Sequence, residues 1–128
     1  MEDQRRFREM IGPEVAMAAT IGFIAVPMWE EAWLMALAVD PELVGFELDR
    51  QVDQALADIP LAVEIGIDVS FSGGDFCTKS GPVYSPRTFD ELVLPRLKKI
   101  TDECRRHGLC YVFRTDGDTW PVAESLLR

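Results

Sequence analysis

The sequence has few cysteines and fewer basic than acidic residues, and these shortages exclude several classes of protein. Its three cysteines (Cys77, Cys104 and Cys110) are an odd number without the spacing of a disulfide framework, which indicates a reducing compartment such as the cytoplasm. Thirteen basic and twenty-two acidic side chains give a net charge of −9. Because an acidic chain without a basic stripe repels phosphate backbones, we expect no nucleic-acid partner.

Long hydrophobic runs are also missing. The best candidate, the uncharged run from Val15 to Trp29, is shorter than a membrane span, contains Gly22 and Pro27, and is followed directly by Glu30 and Glu31. The N-terminal segment MEDQRRFREM is charged and lacks the apolar core of a signal peptide. The sequence therefore predicts neither a membrane partner nor a secretory leader.

The sequence does contain enough apolar material, 48% of its residues, for one domain over residues 1–128. The stretch from Ile67 to Gly117 is the central part of that domain. It predicts a strand, a polar loop, a helix and a second strand. Ile67–Phe71 and Leu109–Phe113 are apolar runs of strand length. Because successive residues are apolar, each run suits a parallel strand covered by helices rather than an antiparallel surface strand.

The upstream segments continue the alternation of helices and strands. They predict a helix end over Glu2–Met10, a strand over Glu14–Ile21 and a helix over Trp29–Val39. Asp40 and Pro41 then open a long amphipathic helix, as its N-cap and its first helical residue.

The connection between the second and third predicted strands is a helix. It has two overlapping start signals, at Ser85-Pro86 and at Thr88, and Gly108 lies at its end. Pro95 lies in its interior and predicts a kink. The whole order predicts an α/β fold with three parallel strands, arranged as in the chain, and flanking helices. A closed barrel of this type takes eight strands and roughly 250 residues, so we expect an incomplete segment of a (β/α)8 TIM barrel.

Polar residues follow two of the predicted strands, at the end where α/β folds build their sites. Asp75 and Asp116 are candidate catalytic residues, because neighbouring carboxylates can drive their pKa values apart and so supply an acid and a base. Each can equally cap a following turn. Arg114 is a candidate substrate-binding residue; at the end of an apolar strand it needs an anionic partner, either a substrate carboxylate or one of the two aspartates.

Two further motifs have alternative interpretations. Ser72-Gly73-Gly74 is a candidate ligand contact, since its backbone amides can approach a substrate closely, but Gly-Gly is also ordinary turn chemistry. The spacing Cys104-x-x-His107-x-x-Cys110 resembles a metal motif, yet a fourth ligand is missing. We therefore expect no metal.

Two strings carry a family resemblance, GDFCTKSGPVYSPRTFDELVLPRLKKI and, after it, GLCYVFRTDGDTWPVAESLL. They resemble the central part of the uroporphyrinogen decarboxylase family, and GPEVAMAATIG and DPELVGFELDR upstream are similar to the same family. The likeness covers Phe7 to Arg128, and its most specific part is the GP-x-x-SP-x-x-F-x-E-x-x-LP pattern from Gly81 to Pro95. The family comprises tetrapyrrole decarboxylases and cobalamin-dependent methyltransferases, and the resemblance implies a (β/α)8 barrel.

The resemblance implies a lyase of porphyrin biosynthesis that decarboxylates a tetrapyrrole without a metal or organic cofactor. In such an enzyme, Asp116 or Asp75 would stabilise charge on the intermediate and Arg114 would hold a substrate carboxylate. One alternative is a methyltransferase of the same family, which uses a corrinoid as methyl carrier. Another is a non-catalytic truncated or split-gene piece that needs a partner chain.

The departures from the family bear on this choice. Substrate-binding residues of the decarboxylases would precede Met1, and a family histidine would follow Arg128, so we expect the chain alone to be inactive. Several methyltransferases have a His-x-Cys pair that helps to hold zinc, where this sequence has Arg114-Thr115-Asp116. The decarboxylases tend to have Lys-Asp-Gly there, which is closer to Thr115-Asp116-Gly117.

A three-stranded slice would have two open sheet edges and one uncovered apolar face. The residues that we expect on the uncovered face are Val15, Met17, Ala19 and Ile21 of the first strand and Tyr111 and Phe113 of the last. We therefore expect the chain to self-associate or to bind a complementary barrel fragment.

We predict that the chain purified without chelators carries no stoichiometric zinc, because Arg114 and Asp116 occupy the positions of the His-x-Cys pair. Elemental analysis of the purified protein measures this directly. One tightly held zinc ion per chain, lost on the substitution Cys110→Ser, would contradict the prediction.

Overall fold

The computed structural model describes residues 2–127, and its centre is a three-stranded parallel sheet flanked by helices. In chain order the elements are α1 (Glu2–Ile11), β1 (Ala18–Ala19), α2 (Glu31–Val39), α3 (Pro41–Glu64), β2 (Val69–Gly73), β3 (Cys77–Thr78), β4 (Gly81–Pro82), α4 (Pro86–Thr88), a π-helical turn (Phe89–Val93), α5 (Leu94–Arg106), β5 (Cys110–Arg114), a 3₁₀ turn (Trp120–Val122) and α6 (Ala123–Leu126). The α/β class is confirmed. None of the helices within residues 2–127 is long and apolar enough to cross a membrane.

The sheet has the order β1-β2-β5, and both of its strand pairs are parallel. This confirms the predicted parallel arrangement, in which the strands lie side by side as they occur in the chain. At the start of the central strand β2, Val69 lies between Ala18 of β1 and Cys110 of β5.

The first strand is much shorter than the predicted Glu14–Ile21. Only the two residues of β1 pair with the sheet; beyond them the carbonyl of Ile21 accepts the Ser70 hydroxyl, and Gly22 turns the chain with φ +71°. Just before β1, the carbonyl of Met17 accepts the amides of Asp68 and Val69 at 2.8 and 3.2 Å.

The other two strands, β2 and β5, begin and end later than predicted. The amide of the first residue expected in each strand is hydrogen-bonded to the helix that precedes it. The amide of Ile67 donates to the carbonyl of Ala62 at 3.0 Å, and the amide of Leu109 donates to Cys104 at 2.9 Å. Such bonds close the end of a helix. Ile67 and Leu109 are buried, but they belong to the turns that lead into β2 and β5.

The core lies between one face of the sheet and the helices α3 and α5. Its helical members include Val44, Leu48, Val52, Ala55 and Ile59 of α3 and Leu97, Ile100 and Cys104 of α5. Ser70 of β2 is also buried, and its hydroxyl donates to the carbonyl of Ile21 at 2.6 Å. The core thus ties the central strand to the segment that follows β1.

The opposite face of the sheet is uncovered within residues 2–127. Phe71 is 48% exposed and Val112 is 37% exposed, and the two lie side by side on β2 and β5. Cys110 and Arg114, at alternate positions of β5, are exposed as well. The expected uncovered face is therefore present, on the side of Phe71 and Val112.

The prediction of which residues lie on this face, however, is wrong in part. Tyr111 and Phe113 are half-buried and pack against the core, and Met17 is fully buried. Side chains alternate between the two faces of a strand, but an unbroken apolar run does not show which alternate set faces the helices.

The segment after β2, expected as an irregular polar loop, contains a small antiparallel hairpin of β3 and β4. Cys77 lies opposite Pro82 in this hairpin. The ring of Phe76, just before it, stacks on Tyr84 with centroids 5.9 Å apart and on Phe89 at 4.9 Å. Stacked aromatic side chains therefore anchor the hairpin to the helix that follows.

The helical run from Pro86 to Arg106 begins at the first of its two start signals. Ser85 is the N-cap, and its hydroxyl accepts the amide of Thr88 at 3.0 Å. A π-helical turn over Phe89–Val93 comes directly before the segment that contains Pro95. Proline lacks an amide hydrogen and crowds the carbonyl four residues earlier, so a wider turn accommodates it.

Arg8 joins α1 to the amino ends of the strands. Its guanidinium donates to the carbonyls of Gly66 and Val15, at 2.9 and 2.8 Å, and to the carboxylate of Asp68. That carboxylate also accepts the amide of Met17 at 2.8 Å. The Met17 amide and the Arg8 guanidinium hold the pKa of Asp68 below its usual value.

We predict that Asp68→Asn lowers the free energy of unfolding at neutral pH, because the neutral amide loses the charge that Arg8 and the Met17 amide stabilise. The folded-state pKa of Asp68 is lowered, so its contribution is present above the unfolded pKa and is lost as the pH falls through the folded one. The difference between wild type and variant should therefore shrink in acid. Denaturant melts over a pH series measure it.

The matched control for this experiment is Asp53→Asn, at an exposed position of α3. It should show no comparable difference at any pH. A difference for Asp68→Asn that does not change with pH would contradict the prediction.

Candidate functional site

The carboxyl ends of β2 and β5 lie side by side, and the segments that follow them meet. Gly73 and Arg114 are opposite each other in the strand register. Asp75 and Asp116 each come two residues later, and the Asp116 amide donates to Oδ1 of Asp75 at 3.2 Å. Asp75 is half-buried and Asp116 is exposed. The contact joins a carboxylate to a backbone amide, so Asp75 positions the segment that carries Asp116.

Glycine at positions 73 and 74 permits the close approach of these segments. Gly73 has φ +152°, and a Cβ there would lie 2.1 Å from the carbonyl oxygen of Arg114. A Cβ on Gly74 would lie 2.3 Å from Cβ of Ala25 and 2.5 Å from the carbonyl oxygen of Ile24. The space that these glycines leave open is filled by the protein's own backbone. The role that the fold shows for these two glycines is therefore to let the neighbouring segments pack closely against the end of β2.

Ser72 lies on the covered side of the sheet, where it is fully buried. Across the strand pair, the hydroxyl of Tyr111 donates to the carbonyl of Gly22 at 2.9 Å. Burial raises the pKa of Tyr111, and the nearby Ser72 hydroxyl opposes this effect in part. The Tyr111 hydroxyl thus joins the segment after β1 to β5 and helps to hold the strand ends together.

Arg114 is the last residue of β5 and lies on the uncovered face with Val112 and Cys110. Its side chain is exposed, and it forms no ion pair with any other residue between 2 and 127. The sequence analysis left two kinds of anionic partner open for Arg114, a substrate carboxylate or one of the two aspartates. Neither Asp75 nor Asp116 is paired with it in this structure. A guanidinium in this position is accessible to a ligand.

The loop after β5 supplies residues that the sequence analysis did not single out. Gly117 has φ +92°, and a Cβ there would lie 2.6 Å from the carbonyl oxygen of Thr78. The amide of Asp118 donates to the same carbonyl at 2.8 Å, and the Asp118 carboxylate accepts the amide of Trp120 at 3.1 Å. The Asp-Gly-Asp sequence was the available signal, since aspartate and glycine favour turns of this kind. The loop is thereby docked on the hairpin next to Asp116.

Two of the thiols, those of Cys77 and Cys104, are not activated nucleophiles in this environment. Burial, together with the charge of Asp118, raises the pKa of Cys77. Burial is also the main reason why the pKa of Cys104 is raised to about 11. A thiol with a raised pKa is mostly protonated at neutral pH, and the thiolate is the reactive form.

The Cys104, His107 and Cys110 motif does not form a ligand set in the fold. Cys104 is buried and Cys110 is exposed, while His107 Nε2 lies 3.0 Å from Oε1 of Glu103. Among residues 2–127, no group of three or more His, Cys, Asp or Glu side chains is placed to hold a metal ion.

A groove of about 580 Å³ lies along the outer edge of β5, between α5 and α6. Its lining includes Leu97, Lys98, Arg105 and Tyr111 but neither Asp75 nor Asp116. The strand-end site is thus an open surface rather than the wall of this groove. No family model, curated protein or solved structure matches the chain, so the local geometry carries the functional argument.

We predict that Gly73→Ala destabilises the fold by more than about 3 kcal/mol, since overpacking alone costs roughly 1–3 kcal/mol and the new Cβ would also meet backbone at 2.1 Å. Gly12→Ala is the matched control, because Gly12 also has a positive φ (+75°) but no atom within 4 Å of the added Cβ. Its cost should be roughly 1–2 kcal/mol. Denaturant melts compare the two, and equal losses of stability would contradict this account of Gly73.

Proposed function

We propose that this chain is part of a uroporphyrinogen decarboxylase-like (β/α)8 barrel enzyme, and that Arg114 binds a carboxylate of its tetrapyrrole substrate. One observation carries the proposal. Arg114 is exposed and unpaired within residues 2–127, at the same edge of the sheet as Asp75 and Asp116. In a chain of net charge −9, a cation without an acidic partner is available to an anionic ligand. The GP-x-x-SP pattern within residues 81–95 supports the choice of family.

The three side chains meet the chemical needs of this reaction. Protonation of a pyrrole ring carbon gives a cationic intermediate, and loss of carbon dioxide from the acetate returns the electron pair of the broken bond to the ring. The side-chain carbon then takes up a proton to become a methyl group, and the ring carbon releases the proton that it gained. A carboxylate beside the ring stabilises the cation. We assign this role to Asp116, which is exposed, and assign to Asp75 the role of holding the Asp116 amide in place. Arg114 orients the substrate through paired hydrogen bonds to a carboxylate.

The uncovered sheet face supports the placement of this chain in a larger barrel. In such a barrel the helices form the outer ring, and the inner face of each strand points into a packed interior. Phe71 and Val112 are the apolar residues of this chain that would point inward, and both are exposed here. Arg114 belongs to the same face, so in such a barrel it would point towards the interior, at the end where barrel enzymes bind substrates.

The proposal includes a partner, because the uncovered face and the open outer edge of β5 need to be covered. A complementary barrel fragment would pair with β5 and bury Phe71 and Val112. We therefore expect the chain alone to bind ligand weakly and to show no turnover. The three free thiols fit a cytoplasmic location, where disulfides are rare.

We predict that uroporphyrin, a porphyrin polycarboxylate, quenches the tryptophan fluorescence of the chain, and that Arg114→Ala raises the dissociation constant about tenfold. This corresponds to about 1.4 kcal/mol, the order of a charged hydrogen bond. Arg114→Lys should retain part of the affinity, because it keeps the charge but loses the paired geometry. Arg6→Ala, an equal change of charge on exposed α1, is the matched control.

Equal affinities for Arg114→Ala and Arg6→Ala would contradict the assignment of Arg114. A parallel titration with hydroxocobalamin separates the decarboxylase from the methyltransferase alternative. Binding of the corrinoid but not of uroporphyrin, with the same dependence on Arg114, would favour the methyltransferase.

A further inference from the structure

The outer edge of β5 has backbone groups without partners. Among residues 2–127, β5 pairs only with β2, and the amide of Cys110 donates in that direction, to the carbonyl of Asp68 at 3.2 Å. Since backbone groups point alternately to the two sides of a strand, those of Tyr111 and Phe113 point away from β2. No loop of residues 2–127 bonds them. Such a row of open amides and carbonyls is a template for a further strand.

The groove between α5 and α6 lies beside this edge, on the helical side of the sheet, and has a volume of about 580 Å³. Its apolar lining includes Leu94 and Leu97 of α5, Tyr111 of β5 and Leu126 of α6. Ligand sites in proteins have volumes of roughly 300–1,000 Å³, so the groove can take several side chains. Alternate side chains of a strand added to β5 would point into it.

The groove is positively charged, although the chain as a whole has a net charge of −9. Two cationic side chains, Lys98 and Arg105, and one carboxylate, that of Asp102, line it. Arg105 is paired with Asp102 at 2.7 Å. Lys98 is exposed and forms no ion pair with another residue between 2 and 127. Its ammonium group is therefore available to an acidic side chain of a partner.

We propose that β5 and this groove bind an extended segment of a partner chain that carries apolar side chains and an acidic one. The backbone of the segment bonds the open groups of Tyr111 and Phe113, its apolar side chains fill the groove, and its carboxylate pairs with Lys98. In this mode of recognition, main-chain hydrogen bonds give affinity and pockets for alternate side chains give specificity. The inference rests on the proposed function for the source of the segment, a complementary barrel fragment, and adds the chemistry that recognises it.

Charge and strand length favour this occupant over a second copy of the chain. A two-fold contact between two β5 edges brings the same surface to both sides, so each Lys98 would meet a cationic groove rather than an acidic group. Like charges across an interface disfavour it. The other edge of the sheet is β1, and only two of its residues are in a strand. It is too short to pair with the whole of β5.

Isothermal titration calorimetry of the full chain with synthetic capped peptides tests the proposal. In the first peptide, one row of side chains alternates glutamate with leucine, and the other row is valine. The second peptide has lysine in place of every glutamate. We expect the acidic peptide to bind about tenfold more tightly than the basic one, because Lys98 attracts one and repels the other. Equal affinities for the two peptides, or no binding of either, overturn the proposal.

Lys98→Glu should raise the dissociation constant of the acidic peptide about tenfold, because it replaces attraction by repulsion. The position is exposed, so the circular dichroism spectrum should not change. Lys99→Glu is the matched control, since it makes the same change of charge at the neighbouring exposed residue of α5, which does not line the groove. It should bind the peptide like wild type, and equal affinities for the two variants contradict the role of Lys98.

Methylation of the peptide's backbone amides tests the strand pairing. Alternate amides of an added strand point towards β5 and the others point to solvent. Methylating one alternate set should therefore abolish binding, and methylating the other set should not. Equal effects of the two sets overturn the strand pairing, and a wild-type dimer that does not bind the peptide overturns the choice of occupant.

The titration with uroporphyrin separates this inference from the proposed function. Lys98→Glu should bind uroporphyrin like wild type, because Lys98 is not part of the strand-end site. Binding of uroporphyrin without binding of the acidic peptide overturns this inference alone. Binding of the acidic peptide without uroporphyrin supports this inference and counts against the proposed function alone.

Discussion

The pairing of β2 with β5 is the constraint on which the rest of the structure depends. It is the longest strand pair of the sheet, with five residues on each side. At its carboxyl end the backbones of Gly73 and Arg114 approach so closely that no side chain fits at position 73. The same pairing brings the Asp116 amide to the carboxylate of Asp75. A change of register by one residue would exchange the faces of β5 and separate the strand-end residues.

The sheet is asymmetric, and this asymmetry explains both the core and the surfaces that need partners. On one face, α3 and α5 enclose a core that also takes in the buried hydroxyls of Ser70 and Ser72. On the other face, Phe71 and Val112 are exposed. A parallel sheet normally has both faces covered, because helical crossovers lie over them. Here the two crossovers cover the same face, as right-handed connections between strands in sequential order require.

The sequence by itself determined the class of fold, the strand order and most helix starts, because these follow from local signals. Asp40 and Ser85 cap their helices as predicted, since a capping side chain bonds the amide only three residues away. Local signals also indicated that polar groups would follow β2 and β5 at one edge of the sheet. Asp75 and the Asp116 amide meet there.

Only the tertiary structure decided which face of each strand is covered and which partners the strand-end residues have. Tyr111 and Val112 are both apolar, so nothing local distinguishes the buried one from the exposed one; the position of α5 does. Likewise β1 ends where the carbonyl of Ile21 accepts the hydroxyl of Ser70, a contact between residues far apart in the chain. Arg114 has no ion-pair partner within residues 2–127, while the Asp116 amide two residues later donates to the carboxylate of Asp75. Such long-range contacts depend on the arrangement of whole elements, which no local pattern of residues specifies.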